Sequence, residues 1–113
     1  MLKLLIITEE FIMPRDLPPI HPSEILKEDF MLSFNITPVQ LAHDIHVPIN
    51  QLNEFLAEKQ PLTANLALRL ARYFGTDAQS WLNLQNHYDL EVTLDILNDE
   101  LENEIKPLKM LTA

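Results

Sequence analysis

A chain of 113 residues is long enough for one domain with a modest core, and 47% hydrophobic against 22% charged residues excludes disorder throughout. It contains no cysteine, which rules out a disulfide framework and a zinc–thiolate site. The net charge of −9 argues against general nucleic-acid binding, which needs a basic footprint; it suits a basic protein partner, with any DNA contact local and helped by a second subunit.

One glycine and eight prolines favour short helices punctuated by proline over a hairpin-rich sheet. The apolar start, Leu4 to Ile7, runs straight into Glu9 and Glu10 and is too short for a signal peptide. No stretch approaches the roughly 20 apolar residues needed to span a bilayer, so a soluble cytoplasmic protein is expected. Residues 1–20 read as an N-terminal arm. Met1 to Ile12 forms a short strand or an extension, and the three prolines of Met13 to Ile20 force extended backbone.

Residues 21–90 read as the helical domain. Pro22 opens the first helix, with Glu24 near the positive end of its dipole. Ile25, Leu26, Phe30 and Phe34 give that helix a buried face, and Asn35 is its stop. Thr37 with Gln40 three residues on spells a capping box, and Pro38 takes the tolerant first position. Leu41, Ala42 and Ile45 share one face, and Pro48 cannot continue that helix but can open another. Leu52, Phe55 and Leu56 form the second apolar stripe, leaving Ile49, Asn50, Gln51, Asn53 and Glu54 outward. Two short helices, a tight turn and an outward polar face describe a helix-turn-helix or a plain helical hairpin.

After the loop Glu58 to Leu62, Thr63 caps a fourth helix with Leu66, Ala67, Leu70, Ala71 and Phe74 at core spacing. Gly75 sits where a helix end wants a left-handed residue. Asp77 caps a fifth helix, with Trp81, Leu84, Gln85 and Tyr88 on one face. Residues 91–113 read as an acidic amphipathic helical tail, with Leu94, Leu97, Leu101 and Ile105 at three- and four-residue steps. Pro107 ends it.

Five helices around a helix-turn-helix suggest the lambda-repressor-like class by analogy. The fold expected is therefore all-α: a five-helix domain with an N-terminal arm and a C-terminal helical extension. Three segments carry a more specific likeness. They are Leu17-Pro18-Pro19-Ile20-His21-Pro22-Ser23-Glu24-Ile25-Leu26, then Leu62-Thr63-Ala64-Asn65-Leu66-Ala67-Leu68-Arg69-Leu70-Ala71, then Phe74-Gly75-Thr76 continuing to Trp81-Leu82-Asn83-Leu84-Gln85-Asn86-His87-Tyr88-Asp89-Leu90. Over about residues 14 to 95 the chain closely resembles the HigA family of addiction-module antitoxins, also called the VapI type.

The resemblance implies a homodimer that represses its own operon by binding operator DNA. It also implies neutralisation of a HigB-like toxin, a small basic ribonuclease. At matching positions Ile49, Asn50, Gln51 and Asn53 are the base-facing part of the recognition helix, and Lys59, Gln60 and Thr63 the loop near the phosphates. Thr37 and Gln40 complete the expected DNA-binding set. Asn50, Gln51 and Asn53 can offer amides to adenine edges, with Ile49 against a thymine methyl.

Several positions depart from the family pattern. His46 stands where the turn usually has glycine, at a cost of about 1 kcal/mol, and Glu58 takes another glycine-like position. Pro48 replaces a Ser or Thr cap, Ile49 replaces a basic or polar residue, and Glu54 lies near phosphates with the wrong sign.

Trp81, Leu84, Tyr88 and Leu90, with Leu94 and Leu97 of the tail, read as a subunit interface or as core. His43 and His46 read as surface residues, not a metal clamp. His21 reads as a helix-entry residue and His87 as a surface position. No catalytic set or phosphate loop is visible, so an enzyme, a cofactor and a small-molecule substrate are not expected. Two other readings stay open: a stand-alone transcriptional regulator with no toxin, and an interaction module whose DNA-reading face has decayed.

Overall fold

The computed structural model describes residues 18–109, which form five helices with no strand among them. The expected N-terminal strand or extension and most of the proline arm lie outside the described residues. No helix among the described residues is long and apolar enough to cross a membrane.

Helix α1 begins at a histidine cap. His21 Nδ1 accepts the Ser23 N–H at 3.1 Å, and Pro22 takes a first position that needs no N–H. The helix runs as an α-turn Pro22–Ile25, a π-helical stretch Leu26–Met31 and a closing α-turn Leu32–Phe34. Bonding from i to i+5 brings residues five apart close together. Leu26 and Met31 are therefore both buried, while Phe34, expected in the core, is turned out and 61% exposed.

Helices α2 (Pro38–Ile45), α3 (Ile49–Leu56), α4 (Ala64–Phe74) and α5 (Ala78–Glu104) follow. Thr37, Thr63 and Asp77 cap α2, α4 and α5, each accepting a backbone N–H three residues on at 2.9–3.1 Å. Leu41, Leu52, Phe55, Ala67 and Leu70 are enclosed in the centre, each large side chain contributing about 1.5–3 kcal/mol relative to exposure. Trp81 closes the core, and its indole N–H donates to Thr76 Oγ1 at 2.8 Å. Helix α5 passes residue 90 without a break and ends at Glu104, so residues 91–104 of the acidic tail continue α5.

Helices α1 to α4 end alike. Asn35, His46, Glu58 and Gly75 adopt φ of 55°, 59°, 62° and 70°. Beyond each, an N–H closes onto a carbonyl five residues back at 2.9–3.0 Å: Ile36 to Met31, Val47 to Ala42, Lys59 to Glu54, Thr76 to Ala71. Only Gly75 takes the left-handed region without a Cβ penalty. A Cβ at Gly75 meets no atom within 4 Å. Gly75→Ala is therefore expected to cost about 1–2 kcal/mol by conformation alone, and Glu58→Gly to shift stability the other way. Urea unfolding measures both.

Candidate nucleic-acid interface

The outward face of α3 exists because its inward face is filled. Leu52, Phe55 and Leu56 are buried, which leaves Ile49, Asn50, Gln51, Asn53 and Glu54 on the exposed side. Helical spacing fixes that division once the three apolar residues face the core. The amides of Asn50, Gln51 and Asn53 are exposed and engage no side-chain hydrogen bond among the described residues, so they can meet base edges without first breaking such a bond. Pro48 offers no side-chain cap. The Gln51 and Leu52 N–H groups both turn to the Pro48 carbonyl at 3.0 Å, and those of Ile49 and Asn50 have no intrahelical partner.

The opposite ends of the two helices are tied down. Lys27 of α1 donates from Nζ to the Leu56 carbonyl at 3.1 Å, at the close of α3. Arg69 of α4 donates from Nη1 to the Ile45 carbonyl at 2.9 Å, at the close of α2, and is steadied by Asn65 Oδ1 at 2.7 Å. A cation at a helix C-terminus meets both the orphan carbonyls and the negative end of the dipole. Tyr73 Oη adds a link from α4 to Asp44 of α2 at 2.6 Å. That bond, followed by those from His43 and Gln40, holds the Asp44 carboxyl below its usual range.

The loop after α3 is pinned from α5. Gln85 is buried; its Oε1 accepts the Leu62 N–H at 2.7 Å, and its Nε2 donates to Asp89 at 2.8 Å. His21 lies between two helices, its ring 5.4 Å from Phe55 of α3 and 5.0 Å from Tyr88 of α5. Burial pushes the His21 pKa down, against the pull of Glu58 and a backbone hydrogen bond at Gln60. Lys59, Gln60 and Thr63 are exposed along this loop.

The structure thus gathers Ile49, Asn50, Gln51 and Asn53 on one exposed face. Thr37 and Gln40 open α2, but Gln40 does not complete a capping box. Its Nε2 donates forward to Asp44 at 2.8 Å, because the acid four residues on lies on the same face, and its Oε1 does not accept the Thr37 N–H. The expected subunit-contact residues divide. Trp81 is enclosed by its own chain at 3% exposure, which accords with the core alternative of its two readings. Leu84 and Tyr88 are half-buried, the first beside the core and the second against His21; Leu90 and Leu94 are exposed and Leu97 is half-buried. The anchoring roles of Lys27, Arg69, His21 and Gln85 had no spacing signal, since each partner lies more than a helix away in sequence or is a backbone atom.

No family model matches the chain. It is 47% identical over 77 residues to virulence-associated protein I of Dichelobacter nodosus, covering 68% of this chain and 71% of that protein. It is 33% identical over 90 residues to antitoxin HigA-1 of Vibrio cholerae, covering 80% and 84%. The Pseudomonas aeruginosa antitoxin HigA, solved with the higBA promoter, superposes at a TM-score of 0.77 with 41% identity, covering 80% of this chain and 98% of that one.

A histidine whose folded pKa is lowered binds fewer protons in the native state than in the unfolded state. The His21 contribution is therefore complete above the ordinary pKa of 6.5 and fades as pH falls below it. Unfolding titrations between pH 7 and 5 should show stability decreasing, with a flatter dependence in His21→Asn, which keeps a capping oxygen. Parallel curves for the two proteins would remove His21 as the cause.

Proposed function

The chain belongs to the HigA family of helix-turn-helix antitoxins, and on that premise we propose that it is a homodimeric repressor of its own operon that also neutralises a HigB-like toxin. The observation that carries the DNA half is the α3 face: exposed amides at Asn50, Gln51 and Asn53 on a helix whose other side is locked into the core. Ile49 suits a thymine methyl, and Lys59, Gln60 and Thr63 suit the adjoining phosphates. The solved Pseudomonas relative is an antitoxin with promoter DNA, which supports transferring that role.

The second half of α5 supports the dimer. Leu90 and Ile96 are 70% and 73% exposed, and Leu94 and Leu101 are each 38% exposed. A run of apolar side chains this open on a helix calls for a partner surface, and Tyr88, Leu90, Leu94 and Leu97 are the contacts proposed between copies. The toxin half rests on the net charge of −9, which complements a basic protein and works against DNA.

Gel shifts with the DNA upstream of its gene test the repressor reading, and co-expression with the adjoining reading frame tests neutralisation. Asn50→Ala is expected to weaken operator binding by about 1–3 kcal/mol and leave toxin binding intact. Lys59→Ala should weaken all DNA sequences alike and lower the salt slope by about 1 per protomer. Light scattering on the Leu94→Glu, Leu97→Glu double variant should report a monomer.

A further inference from the structure

Between α1 and the start of α5 lies an open cleft of about 230 Å³, floored by Ile25, Phe30, Trp81 and Leu84 and edged by Asp77 and Ser80. Its apolar surface does not stop at the cleft. Phe30 lies 5.2 Å from Trp81 and 4.9 Å from Phe74, and Phe34 stacks on Phe74 at 5.9 Å while remaining 61% exposed. On the same helix, next in sequence to Ile25 and Phe30, Glu24 and Asp29 are exposed, as is Glu28, and none of the three pairs with a basic residue among the described ones. The lysine of that helix, Lys27, is turned away to the Leu56 carbonyl.

From this we infer that the α1–α5 cleft is where the toxin docks, a step that rests on the neutralisation reading above. An aromatic hollow with an uncompensated acidic border fits a basic protein that inserts an apolar anchor flanked by Lys or Arg. A second copy carries the same net charge of −9, so its charge opposes docking against this border. Residues 1–12 carry Lys3 against Glu9 and Glu10 and offer no positive excess either. The cleft also lies off the base-reading face. It sits at the Phe74 end of α4, and the loop beside α3 meets the other end, about 16 Å away at 1.5 Å per residue over 11 residues.

The test uses the full chain and, as probe, the tagged product of the adjoining reading frame. Two variants leave the core untouched: Glu28→Lys with Asp29→Lys, which reverses the border, and Ser80→Tyr, which obstructs the mouth. Each should weaken capture of the probe at least tenfold, with operator affinity held within twofold and the oligomeric state unchanged. Wild-type capture with no loss in either variant overturns the docking site and leaves the antitoxin reading standing. A wild-type chain that captures nothing sinks the neutralisation reading and this site with it. Conversion of either variant to a monomer assigns the cleft to a second copy and overturns the proposal.

Discussion

Two cations hold the reading pair by its tails. Lys27 and Arg69 reach from helices outside the pair to the last carbonyls of α3 and α2. A hydrogen bond from a charged donor contributes about 1.5–3 kcal/mol where it is partly shielded from water. More consequential than the energy is the direction. Both helices are secured at their negative ends, so the N-terminus of α3 and its outward amides remain open without loosening the helix.

This use of cations has a consequence for the surface. Lys and Arg total 8 against 17 acids, and two of the basic residues are turned to internal carbonyls. Among the described residues, Lys59 is the exposed basic residue on the loop after the reading helix. On the proposed reading, counterion release supplies little of the DNA affinity, backbone N–H groups position the duplex, and discrimination falls on the neutral amides. The acidic surface that results is an obstacle to a duplex and an attraction for a basic protein. On the reading proposed above, one charge balance places the two partners on different faces.

The α5 helix connects these faces. Its first half fills the core with Trp81 and pins the loop after α3 through Gln85; its second half leaves leucines exposed. His21 joins the same junction, packed between Phe55 of the reading helix and Tyr88 of α5. Of the residues that distinguish this chain from a generic helical pair, His21 packs on Phe55 of the reading helix and Gln85 pins the loop after it, while Trp81 packs on Phe30 of α1. None of them lies on the face that would meet bases.

Local chemistry was legible along the chain. Thr63 and Asp77 as caps, Gly75 as a left-handed stop, Pro48 as a break and Leu52, Phe55 and Leu56 as one stripe each depend on a few neighbouring residues, so spacing reveals them. His46 and Glu58 were legible as strained positions only through the family likeness, which has glycine there. What spacing could not reveal were choices made between distant segments. Whether Met31 or Phe34 faces inward depends on a π-helical stretch that is favoured by what packs against it. Whether Trp81 meets its own core or a partner depends on where α1 lies, and Gln40 chose Asp44 over Thr37 through a side-chain rotamer. The amino-acid order by itself determined where helices start, stop and show an apolar face, because those are short-range effects. Only tertiary packing decided which side chains hold the reading helix in place, because their partners are carbonyls and rings that come near only once the chain has closed on itself.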